Sequence, residues 1–431
     1  MSKTYRPYEP DQLLLLPPSL QEWIPDGHLS RFIHDLVDTL DLSAIEDTYR
    51  EERGYPPYHP RMMLKVLLYA YATGVYSSRR IAEKLTDSVA LRFLAAGNAP
   101  DFRTISEFRK RHGVALNGLF DQVLLLCREA GLVKLGRVAV DGTKVKANAS
   151  KHKAMSYGRM KQKETETRRI VRALLARADA ADREEDARYG PDKSGYELPA
   201  ELATHEGRLK KIREAKEALE AEARKKAEDE GRGGVGPKPP DRAQRNFTDP
   251  ESKIQKTKDG FIQGYNAQLA VDAEHQVIVA QHVTAKSVDV GELVRSVESI
   301  KRVMKRQPKE VLADAGYYSE SNVEALRSRK IDPYIATSRL KHGAVGAEPK
   351  GRVPAALTIR QRMARKLRTK RGRKIYSRRK TIVEPAIGQI KQARGFRQFL
   401  RRGVSAVSQE WSLVCTVHNI LKLRTALSDA S

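Results

Sequence analysis

RVAVDGTKVKANAS, residues 137–150, is where the sequence changes its period. Upstream, apolar residues recur at three- and four-residue spacing. Here Arg137-Val138-Ala139-Val140 is a short apolar run closed by Asp141 and Gly142, which predicts a strand ending in a carboxylate. Downstream, FIQGYNAQLAVD (261–272) and HQVIVAQHVTA (275–285) read as a hairpin turning at Asp272 to His275. GELVRSVESIKRVM (291–304) predicts a helix, KEVLADAG (309–316) a short strand ending at Asp314, ESNVEALRSR (320–329) a helix, and DPYIAT (332–337) a further strand. The expected order is three strands, a helix, a strand, a helix and a strand, followed by a C-terminal helical region.

That is the order of a ribonuclease-H-like α/β core, in which acidic residues at the ends of two neighbouring strands meet a third from a late helix. The stretch before it, from about His28 to Leu132, predicts helices only: HLSRFIHDLVDTL, PRMMLKVLLYAYATGV, SSRRIAEKLTDSVALRFLAAG and LNGLFDQVLLLCREAGL. Turn signals from Gly54 to Pro60 and up to Pro100 separate them. SSRRIAEKL and VALRFLA, broken at Thr86-Asp87-Ser88, fit either a helix-turn-helix or a plain helical hairpin. Between the first strand and the hairpin, RRIVRALLARADAADREEDARYG and EGRLKKIREAKEALEAEARKKAEDE are charged and helical. A thin apolar stripe of Ile170, Leu174, Leu209, Ile212 and Leu219 predicts a protruding helical hairpin, ended by the flexible linker GRGGVGPKPPD. The expected domains are therefore an all-helical N-terminal domain (1–132), an α/β domain (133–149 and 246–431) and a charged helical insertion (150–245).

The chain carries 80 lysines and arginines against 54 aspartates and glutamates, a formal net charge of +26. Such an excess points to a polyanionic partner, for which nucleic acid is the usual one. Cys127 and Cys415 lie in apolar helical surroundings without CxxC spacing, so neither a zinc site nor a disulfide framework is expected. MSKTYRPYEPDQ has no apolar signal core and the apolar runs are interrupted, so the expectation is a soluble, cytoplasmic, nucleoid-associated protein without a membrane segment.

Hard divalent cations that cut phosphodiesters want clustered carboxylates. Asp141 and Asp314 each end an apolar strand, where α/β sheets place their ligands; a turn-forming role explains an Asp-Gly or Asp-Ala-Gly equally well. Glu384 is the one acidic residue between Glu348 and Glu410, inside the basic segment GRVPAALTIRQRMARKLRTKRGRKIYSRRKTIVE (351–384). Its alternative is a capping box, Thr381-Ile382-Val383-Glu384, with Pro385 in an early turn of the helix. Among competing acids, the hairpin turn accounts for Asp272 and a helix start in SVDVGELV for Asp289, while Asp249 in FTDPES has no comparable explanation.

Together with Tyr58-His59-Pro60, Pro100-Asp101-Phe102-Arg103-Thr104 leading to Phe108-Arg109, GYNAQLAVD from Gly264, ADAGYYS around Asp314 and VEPAIGQIKQARGFRQFLRRG around Glu384, these segments resemble the DDE transposases of bacterial insertion sequences. The resemblance is to the group with a helical N-terminal domain carrying a Tyr-His-Pro element, and it covers nearly the whole chain. It implies Asp141, Asp314 and Glu384 as catalytic metal ligands and Mg²⁺ or Mn²⁺ as cofactor. Its partners are double-stranded DNA, as inverted-repeat ends and target, and a second copy of the chain in the DNA complex. It also implies a Tyr-Arg-Glu-Lys signature whose basic and tyrosyl members contact DNA. Tyr376, Glu384 and Lys391 match it; for the arginine, Arg379 has the right spacing from Tyr376 and Lys380 the right spacing from Glu384. Three activities share these residues: cleavage of element ends with strand transfer, DNA binding by a catalytically inactive regulator, and a metal-dependent nuclease that cuts without joining.

Overall fold

The computed structural model describes residues 19–49, 56–189, 200–229, 238–257, 260–338 and 347–429. Residues 231–237 of the expected linker lie outside the described residues, as do Gly54 and Tyr55 of the turn before Pro60. The chain divides into two compact units, Met1–Val133 with Gly388–Gly395 and Leu413–Ser431, and Lys134–Ile387 with Phe396–Ser412. Among the described residues no helix is long and apolar enough to cross a membrane.

The first unit is helical: α1 (Leu29–Thr39), α2 (Ser43–Glu46), α3 (Pro60–Ala72), α4 (Ser78–Asp87), α5 (Val89–Leu94), α6 (Phe102–Arg111) and α7 (Gly113–Glu129). Its motifs act as helix punctuation. His59 caps α3 by accepting from the Arg61 N–H, and Pro60 fills the first helical position, where its missing N–H costs nothing. Asp101 caps α6 through the Thr104 N–H at 2.7 Å. Arg109 is buried and donates to the Tyr71 hydroxyl (3.0 Å), the Tyr76 carbonyl (2.9 Å) and Ser78, so it ties α3, α4 and α6 together. Ser88 alone separates α4 from α5 and caps the latter. That is shorter than the turn of about three or four residues in a helix-turn-helix and than the loop of about two to five in an antiparallel helical hairpin, so the break does not choose between the two readings.

The second unit is mixed α/β. Its elements are β1 (Arg137–Lys146), β2 (Ala154–Ser156), α8 (Tyr157–Tyr189), α9 (Ala200–Asp229), β3 (Gln244–Asn246), β4 (Lys253–Thr257), β5 (Gly260–Asp272), β6 (Ile278–Thr284), α10 (Glu292–Met304), β7 (Glu310–Ala313), α11 (Glu320–Ser328), β8 (Asp332–Ile335), α12 (Ile359–Arg368) and α13 (Lys370–Gly388). Helix α14 (Val404–Asp429) begins in this unit and ends in the first. In the main sheet β5 pairs along one edge with β4 and β6 and along the other with β1, and β7 and β8 follow. β1 runs antiparallel to β5 and parallel to β7, which is parallel to β8. Val138, Ala139 and Val140 are fully buried, which explains why β1 reads as an unbroken apolar run instead of an alternating one. Helix α10 packs on β5 and β6, and α11 and α12 on β8.

Between β1 and β4, α8 and α9 pack on one another and β2 pairs with β3 at their base. The seam uses Met160, Val171, Leu209, Ile212, Ala215 and Leu219, while Ile170 and Leu174 of the expected stripe are half-buried. A small apolar cluster of Tyr157, Met160, Ile212, Ala215 and Leu219 closes the base.

Two expectations are corrected. Helix α13 starts at Lys370, and its cap is Thr369, whose Oγ1 accepts from the Gly372 N–H at 3.0 Å. Thr381 therefore lies mid-helix with its hydroxyl donated to the Arg378 carbonyl at 2.9 Å, and no capping box holds Glu384. Pro385 is interior to the helix, not in its first turn. A proline there leaves the carbonyl four residues back without its helical donor; that carbonyl, of Thr381, accepts instead from Gln276 Nε2 at 3.1 Å. Helix α10 begins at Glu292 behind an N-cap Gly291, so Asp289 is no helix cap either.

Candidate active site

The β1–β7 register sets Val140 beside Ala313, so the next residue of each strand, Asp141 and Asp314, emerge side by side from the parallel pair. Asp141 is still within β1, opposite Leu269 of β5. Asp314 opens the turn Ala315–Tyr317, its Oδ1 accepting from the Gly316 N–H at 2.8 Å. Local chemistry thus fixes one carboxylate by sheet register and the other by an Asx-type turn.

Helix α13 supplies the counter-charge. Arg379 Nη1 donates to Asp141 Oδ2 at 2.8 Å, and both side chains are largely buried. Burial pushes the Asp141 carboxyl above its ordinary value; the Arg379 guanidinium opposes the rise and the charge of Asp314 adds to it. Tyr376, one turn earlier on α13, lies in the same field: burial raises its hydroxyl, Arg379 opposes, and Asp314 and Asp141 raise it further. Lys380 is exposed, so Arg379 is the basic residue that α13 turns to the aspartates.

Glu384 is exposed on α13. Five positions separate it from Arg379, about 140° round a helix at 100° per residue, so the two cannot face one point together. Among the described residues no three His, Cys, Asp or Glu side chains form a group that could hold a metal ion. The structure therefore brings together Asp141, Asp314, Arg379 and Tyr376, and does not join Glu384 to them. Lys391 falls in the π-helical turn Gln389–Ala393, which belongs to the first unit. The competing acid Asp249 is fully buried and accepts from the Tyr265 hydroxyl (2.8 Å) and the Gly403 N–H (3.2 Å). Asp272 accepts from the N–H groups of Leu135 and Glu274, as its hairpin-turn role requires.

A second polar layer went unrecognised in the sequence. Asn266 and Gln268, two residues apart on β5 and fully buried, donate to Asp289 Oδ1 at 2.6 and 2.8 Å. Lys144 of β1 approaches the same oxygen at 3.7 Å. Burial lowers the Lys144 ammonium, while Asp289, Asp141 and Asp314 raise it, which places all three carboxylates within its electrostatic reach. The signal was present in GYNAQLAVD: two amides at period two inside an otherwise apolar strand are buried on one face and must find partners.

The donor set suits a hard cation. Two neighbouring carboxylates, one of them raised partly by the other's charge, gain most from a divalent ion with oxygen preference. Two family models match the chain, one described as a transposase domain over residues 18–111 and one described as a transposase DDE domain over residues 237–420. The second begins beyond β1, so Asp314 and Glu384 lie within it and Asp141 precedes it. No curated protein and no solved structure matches the chain.

Proposed function

The chain belongs to the DDE-type transposases of insertion sequences, metal-dependent enzymes that cut and join DNA, and from that premise we propose that Asp141 and Asp314 are its principal metal ligands. The observation that carries this reading is their adjacency at the ends of β1 and β7, with Arg379 laid on Asp141. The order β6, β5, β1, β7, β8, antiparallel up to β1 and parallel beyond it, supports a ribonuclease-H-like core.

In this reading Asp141 and Asp314 hold Mg²⁺ or Mn²⁺, and Glu384 of α13 is the third carboxylate. A divalent ion there would activate the attacking oxygen and stabilise the leaving one in hydrolysis at an element end and in transfer of the freed 3′-OH to target DNA. Arg379 neutralises Asp141, and a phosphate brought to the pair would meet its guanidinium. Tyr376 flanks it and Lys380 adds positive charge; for Lys391 as a DNA contact the support is the family resemblance. Pro385 and the π-helical turn after it interrupt the regular ladder of α13 just beyond Glu384, where a helix bends most readily. Bringing Glu384 to the pair would take an unwinding of α13 between Arg379 and Glu384, where Pro385 already leaves the Thr381 carbonyl without its helical donor. The N-terminal helices (1–132) serve DNA binding or assembly, and 150–245 is an insertion into the catalytic domain. The family resemblance is what supports a pair of copies acting on paired ends.

Replacing Asp141 or Asp314 with alanine tests the reading on labelled element ends in Mg²⁺. Cleavage is expected to vanish while binding of the end duplex persists, because a ligand is lost and the basic surface is not. Retained cleavage in either variant removes that residue from the site.

A further inference from the structure

Each strand-end aspartate is followed closely by a glycine, Gly142 and Gly316, and neither glycine is among those with positive φ. Backbone conformation therefore does not demand them. Space does. A Cβ on Gly142 would stand 2.5 Å from Gln268 Nε2, 2.9 Å from Asn266 Oδ1 and 3.0 Å from Asp289 Oδ1. A Cβ on Gly316 would stand 3.0 Å from Asp314 Oδ1 and 3.2 Å from Asp289 Oδ2. The two glycines make room for the same carboxylate, one beside each of its oxygens.

Asp289 is also tied to the turn that carries Asp314. The Tyr317 hydroxyl, at the end of that turn, donates to Gln268 Oε1, and Gln268 Nε2 donates to Asp289 Oδ1. Asn266 is oriented so that its Nδ2 serves Asp289, which leaves its own Oδ1 buried and without a hydrogen-bond partner. An unsatisfied buried acceptor is destabilising, so stability alone does not account for the arrangement. Lys144 adds the electrostatic link: its ammonium lies 3.7 Å from Asp289 Oδ1, and the charges of Asp141 and Asp314 act on it as well.

We propose that Asp289 is a positioning residue of the catalytic centre: held by Asn266, Gln268 and Lys144, it fixes the Asp314 turn and keeps the Lys144 charge from neutralising the Asp141–Asp314 pair. It thereby sets how strongly the pair takes a divalent cation. The inference rests on reading that pair as the metal site.

The test is Mn²⁺ binding to the full-length, DNA-free protein, followed by electron paramagnetic resonance, alongside the Mg²⁺ dependence of end cleavage. Asp289→Asn keeps an acceptor for the two amides and removes the charge facing Lys144. Loss of a supporting partner typically weakens a metal site by about 10–100-fold, so Mn²⁺ binding should weaken by roughly 10-fold or more. Half-maximal cleavage should need proportionally more Mg²⁺, with the rate recovering at high metal, which a merely structural role would not produce. Gly316→Ala retains every polar group but crowds Asp314 and Asp289, and should shift the metal dependence in the same direction even if Asp289→Asn folds poorly. An Asp289→Asn isotherm and Mg²⁺ profile that superimpose on the parent's, with Asp141→Ala having lost Mn²⁺, overturn the role of Asp289 alone. Parental Mn²⁺ binding by Asp141→Ala overturns the metal-pair reading and this inference with it.

Discussion

Arg379 and Lys380 are adjacent on α13 and have opposite surroundings: one guanidinium is buried against Asp141, while the neighbouring ammonium is exposed. A rotation of 100° per residue is enough to separate them, and it sets which one faces Asp141. Glu384 needs the same care. As an exposed helical residue with no capping role, its replacement by glutamine should change stability by less than about 0.5 kcal/mol. If it is the third ligand, the neutral amide removes the charge a hard cation requires. Glu384→Gln is therefore expected to melt like the parent, to bind end DNA at least as tightly because a negative charge has left a basic surface, and to lose Mg²⁺-dependent cleavage. Cutting and joining at close to the parental rate would send the search for a third ligand to another acid.

Helix α13 carries a proline in its interior. An interior proline costs a helix about 3 kcal/mol, and here the cost is reduced because Gln276 donates to the freed Thr381 carbonyl. Pro385→Ala should restore the ladder and stabilise the protein by about 1–3 kcal/mol, raising the melting temperature by several degrees, while lowering the cleavage rate if the interruption is what lets Glu384 reach the pair. An unchanged melting temperature together with an unchanged rate would show that the proline stores nothing. The strands were legible in the sequence because their signals are local: an apolar run closed by Asp141 or Asp314 needs only its own neighbours to be read. The start of α13 was not. Thr381-Ile382-Val383-Glu384 has the residues of a capping box, and only the packing of the basic stretch before it reveals that the helix is already running from Thr369. Asp289 was misread for a related reason. Its partners Lys144, Asn266 and Gln268 are distant in sequence, and SVDV beside a helical pattern looks like a cap until β1 and β5 are laid under it.

Across the whole molecule, a net charge of +26 makes phosphate contacts the main source of affinity, yet affinity alone cuts nothing. In the proposed reading the chemistry is asked of Asp141 and Asp314 with Glu384, and a change of ligand softness at Asp314 tests that reading directly. In Asp314→Cys a thiolate replaces a hard oxygen donor; thiolates suit Zn²⁺ and not Mg²⁺. Full-length Asp314→Cys, incubated with labelled element-end duplex, is expected to bind the DNA, to fail to cut it in Mg²⁺ alone, and to regain cleavage in part when Zn²⁺ is added. Cleavage at the parental rate in Mg²⁺ alone would show that Asp314 holds no metal and would contradict the account.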